Sequence, residues 1–63
     1  MYYITILDFT DARVYQFDLL NYYDPKVIAY WQHEDFEEFI TDQGFSLSNI
    51  EWMSHSVKKV KKL

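Results

Sequence analysis

Cysteine is absent from this chain of 63 residues, and glycine and proline occur once each, as Gly44 and Pro25. Without cysteine there is no disulfide framework and no thiolate metal site, and the composition fits a reducing compartment, so a cytoplasmic location is expected. A single glycine excludes the glycine-rich loops that cradle phosphates, and no G-x-S-x-G nucleophile elbow is present. No stretch approaches the roughly 18 apolar residues of a transmembrane candidate. The opening Met1-Tyr2-Tyr3-Ile4-Thr5 lacks the basic start and long apolar run of a signal peptide. No membrane contact is expected.

What is abundant is aromatic. Six Tyr, five Phe and two Trp give thirteen rings, 21% of the chain. Each can bury a large apolar surface, so a short chain with no covalent staple could still build a core. A domain of this size hides only about 60% of its unfolded surface and is marginal by default. The rings must therefore fill a small core, cover a partner, or do both. A hydrophobic content of 49% argues against disorder, and the length allows one domain over residues 1–63.

Charge is distributed unevenly. All ten acids lie before residue 54 with only Arg13 and Lys26, a net charge of −8; Lys58, Lys59, Lys61 and Lys62 then give a basic tail at 57–63 with +4. The total is −4.

Period-2 patterning marks strands at Tyr2–Phe9, Val14–Leu19 and Ile50–His55. The first is apolar on both faces, which suggests a central strand or one whose second face meets a partner. Asp8-Phe9-Thr10-Asp11-Ala12 supplies turn chemistry for a hairpin. Phe36, Phe39 and Ile40 share one face of a helix over Glu34–Gln43, with acids in its first turns and Gly44 as a left-handed cap. Between these, Leu20–Gln32 is ambiguous. Asp24-Pro25 reads as a helix start, and a short helix with Val27, Ile28 and Trp31 on one face is favoured over a strand. A break near Gln32-His33 separates the two helices. The result is an α+β fold, ββαβ: a three-stranded antiparallel or mixed sheet under one helical layer, with an extra short helix. The third strand lies beside the first and runs parallel to the second. Ile4 or Ile6, Tyr15, Phe17, Phe36, Phe39, Ile40 and Trp52 are expected in the core.

The run Asp35-Phe36-Glu37-Glu38-Phe39-Ile40, with Gly44-Phe45, Leu47, Asn49-Ile50 and Glu51-Trp52-Met53, resembles the C-terminal half of a group of small uncharacterised gut-bacterial proteins. Those open with a hairpin similar to Tyr3-Ile4-Thr5-Ile6-Leu7-Asp8-Phe9. Leu20–Gln32 stands out as an addition. The resemblance implies a bacterial source and supports the fold; the group has no assigned activity, so it implies no catalytic residue.

Few residues suggest chemistry. His33 and His55 with nearby carboxylates could ligate a metal, but no HExxH and no i, i+4 histidine pair is present, and no metal or cofactor is expected. Glu34, Asp35, Glu37, Glu38 and Asp42 form an acidic helix face, read first as solvated and dipole-stabilised and second as a docking surface. An independent enzyme is not expected. Tyr22, Tyr23, Tyr30 and Trp31 surround the ambiguous segment and are candidates for contact with a protein. The leading expectation is a non-enzymatic protein-interaction module that self-associates, most simply as a dimer. The alternative is a small nucleic-acid-binding or regulatory protein using Lys58, Lys59, Lys61 and Lys62, disfavoured by the acidic remainder.

Overall fold

The computed structural model describes residues 2–56. In chain order they form β1 (Tyr3–Asp8), β2 (Arg13–Asp18), a 3-10 turn (Leu19–Asn21), α1 (Pro25–Ile28), α2 (His33–Asp42), a second 3-10 turn (Leu47–Asn49) and β3 (Ile50–His55). The sheet order is β2-β1-β3, with β1 antiparallel to both neighbours. This is the α+β architecture the patterning predicts, with the two-faced β1 in the centre.

Local chemistry accounts for most boundaries. In the hairpin the Thr10 amide donates to Asp8 Oδ1 at 2.9 Å, and Ala12 takes a left-handed φ of 54° before β2 begins. The Asp18 carboxylate accepts from Leu20 N at 3.0 Å, and Leu19 N donates to Tyr2 O at 2.7 Å. That cap ends β2 one residue earlier than expected and turns Leu19 into the core. Asp24 caps α1 by accepting from Lys26 N at 2.9 Å, with Pro25 in the first helical position, where its missing N–H costs nothing. Asp35 reaches back to Gln32 N at 2.7 Å to fix the start of α2. At the other end Gly44, at φ 97°, lets Gly44 N bond Thr41 O and Phe45 N bond Ile40 O, the paired bonds of a Schellman cap.

α1 is shorter than the expected face requires. It stops at Ile28, so Val27 is exposed, Ile28 is buried and Trp31 enters the core from the irregular link rather than from a helix. The break between the helices spans residues 29–32, so it reaches the expected Gln32-His33 position but begins earlier.

Alternation assigns Ile4 and Ile6, with their partners Phe17, Tyr15, Ser54 and Trp52, to the helix side of the sheet. Ile4, Ile6, Leu19, Ile28, Phe39, Ile40 and Ile50 form the buried core. Tyr15, Phe17, Phe36 and Trp52, expected to be mostly buried, are half-buried and pack around it. Aliphatic side chains occupy the centre because one helix over three short strands encloses little volume; the larger rings close the rim.

Candidate interaction surfaces

Phe39 organises the aromatic cluster. The rings of Phe17, Tyr22, Tyr23 and Trp31 have centres 5.2–6.2 Å from it, and the cluster continues from Trp31 to Phe36 at 5.1 Å and from Phe36 to Trp52 at 6.1 Å. Most contacts are edge-to-face, the arrangement the ring quadrupoles favour. Three of the expected contact residues, Tyr22, Tyr23 and Trp31, thus belong to this cluster. Trp31 is half-buried, whereas Tyr22 and Tyr23 keep an exposed face. Tyr30 packs differently: it is 82% exposed. Leu20 and Val27, neither of them among the expected contact residues, are exposed on the same stretch. Residues 20–30 therefore present a ledge of exposed apolar side chains, of which Tyr22 and Tyr23 rest on Phe39.

A second surface is the face of the sheet opposite α2. By register it holds Tyr3, Thr5 and Leu7 of β1, Val14, Gln16 and Asp18 of β2, and Glu51, Met53 and His55 of β3. Val14 is 67% and Met53 58% exposed, and Leu7 is exposed between them. Among the described residues no element covers this face. Its apolarity is visible in the double-faced pattern of β1, but Val14 and Met53 carried no signal of their own.

The third is a groove of about 580 Å³ beside β3, walled by His33 and Glu37 of α2, Leu47 of the second 3-10 turn, and Glu51, Trp52 and Met53. His33 stacks on Trp52 with ring centres 4.9 Å apart, and its Nε2 lies 3.6 Å from the Glu37 carboxylate. His55 stacks on Tyr3 at 5.9 Å and its Nε2 is 2.6 Å from Thr5 Oγ1. Trp52 and His55 lie on opposite faces of β3, so the two histidines are separated by the sheet and do not form one ligand set. Among the described residues no group of three His, Cys, Asp or Glu is placed to hold a metal ion, and no helix is long and apolar enough to cross a membrane.

The acidic face of α2 divides by role. Asp35 serves the helix start and Glu37 faces His33, while Glu34, Glu38 and Asp42 are exposed. Lys58, Lys59, Lys61 and Lys62 lie outside the described residues. Comparison with known proteins returns no match: no family model, no curated protein and no solved structure is similar enough to the chain to carry an argument.

Proposed function

We propose that this chain is a small, non-enzymatic protein-interaction module of the bacterial cytoplasm that self-associates, as a dimer, through its surplus aromatics. One observation carries the reading. Leu20, Tyr22, Tyr23, Val27 and Tyr30 are all exposed on one short stretch, and Tyr22 and Tyr23 are braced from beneath by Phe39. Tyr offers wide apolar contact with few torsions to immobilise and a hydroxyl for the wet rim of an interface. A two-fold contact would set each ledge against its counterpart and add the stability that so short a chain lacks.

Sedimentation velocity at micromolar concentration tests this. The parent should sediment as a dimer, and Tyr30→Ser combined with Val27→Ser should shift it to monomer without loss of helical signal. A parent that stays monomeric throughout the range would refute the reading.

A further inference from the structure

Independently of the aromatic ledge, and with none of its residues, we propose that the groove between α2 and β3 binds a small organic dication, a linear aliphatic diamine. Each side of the groove carries one carboxylate. Glu37 stands on the α2 side. Glu51 stands on β3, opposite Leu7 in the ladder and so turned toward the open face of the sheet, while the next residue, Trp52, turns toward the helix. Glu51 is exposed and makes no ion pair among the described residues. Between the two carboxylates the lining is apolar, with Leu47 and Trp52 on the helix side and Met53 beside Glu51.

His33 already marks the contacts on offer. Its ring lies on Trp52 with centres 4.9 Å apart and planes inclined by 34°, and its Nε2 is 3.6 Å from the Glu37 carboxylate. An aromatic face with a carboxylate alongside is the environment that an ammonium group favours, because the ring quadrupole and the anion attract it together. Yet the His33 side chain is 73% exposed, so little burial holds it there and a bound cation can take its place.

The same residues select the class of ligand. An anion is opposed by both carboxylates and by the ten acids that face only Arg13 and Lys26 before residue 54. A hard metal ion fits poorly: magnesium and calcium take about six or more oxygen ligands, and among the described residues no three His, Cys, Asp or Glu are placed to hold an ion. A monoamine leaves one carboxylate without a partner. A diamine sets one ammonium at Glu37 and the other at Glu51, and its methylenes lie on Trp52, Leu47 and Met53, out of water. The groove, at about 580 Å³, has room for such a chain.

The test is an NMR titration of the nitrogen-labelled full chain with putrescine, a four-carbon diamine, at low salt. The Trp52 indole N–H and the Glu37 and Glu51 amides should shift saturably, with a dissociation constant of about 1 mM or lower. Glu51→Gln and Glu37→Gln should each weaken binding by roughly threefold, the scale of an exposed ion pair. His33→Ala should tighten it by roughly threefold, since it frees Trp52 and Glu37, and His33→Lys should weaken it by placing a permanent cation beside Glu37. Butylamine, with one ammonium, should bind more weakly than putrescine. The ledge variant, Tyr30→Ser with Val27→Ser, should bind putrescine like the parent, which keeps this result distinct from failure of the ledge. The absence of a saturable shift at Trp52 would overturn the proposal. So would magnesium moving the same resonances equally, which would reduce the attraction to charge alone, or indifference to both glutamine variants. His33→Ala binding no more tightly than the parent would overturn the exchange of His33 for the ligand.

Discussion

The two faces of the sheet are built from the same three strands and similar residue types, yet among the described residues only one is covered. On the helix side Ile4 and Ile6 are fully enclosed by α2 and the aromatic rim. On the other side Leu7, Val14 and Met53 are solvent-facing, interleaved with Thr5, Gln16 and Glu51. Burial here follows from what lies above a residue more than from its own hydropathy. An isoleucine and a leucine one residue apart in β1 differ completely in environment because alternation assigns them to opposite faces.

Substitutions can break this comparison. The largest loss is expected at the hub of the covered side. Phe39→Ala removes the ring on which four others rest and should cost about 3–5 kcal/mol, enough to unfold so small a domain or nearly so. Chemical denaturation followed by tryptophan fluorescence measures it. A variant that unfolds with the parent would mean that the aromatic cluster is not what holds α2 on the sheet. Next is Asp24→Ala, which deletes the carboxylate accepting from Lys26 N and should cost about 1 kcal/mol by freeing the start of α1. Because that turn carries Ile28 into the core, the change should lower the melting temperature of the whole domain and not fray α1 alone.

The open side should respond far less. Leu7→Ala should alter stability by less than about 0.5 kcal/mol, the range of exposed substitutions. A loss comparable to that of Phe39→Ala would show that a partner or another segment covers this face in solution, and concentration dependence of the loss would identify the partner as a second copy. The smallest effect is expected in the hairpin turn. Ala12 holds a left-handed φ that glycine adopts without penalty, so Ala12→Gly should stabilise by a few tenths of a kcal/mol, roughly the steric relief less the added entropy of the unfolded glycine. A measurable destabilisation would place the turn in another conformation.

Much of the scaffold is legible in the sequence because it rests on local rules. The hairpin, the start of α2 and the Asp24-Pro25 start each follow from side chains that bond backbone within a few residues, and the Gly44 cap from the freedom of glycine at positive φ. The contact residues were less legible. Tyr22 and Tyr23 carry a surface signal and a core signal together, and the structure uses both, one face of each ring on the Phe39 cluster and the other outward. The groove at β3 was not legible, since it joins α2 to a strand that follows it and exists only once the sheet order is known.

By itself, the amino-acid order determined the kinds of element and their punctuation, through periodicity, capping carboxylates and one glycine. It also determined the opposition between an acidic body and a basic terminus. Tertiary structure decided which further aliphatics joined Ile4, Ile6 and Ile40 in the core. Leu19, Ile28 and Ile50 sit at element ends, where periodicity says little, and they are buried because the turns around them point inward under α2. It likewise decided that Tyr15, Phe17, Phe36 and Trp52 stay half-exposed, because a single short helix cannot enclose so many large rings.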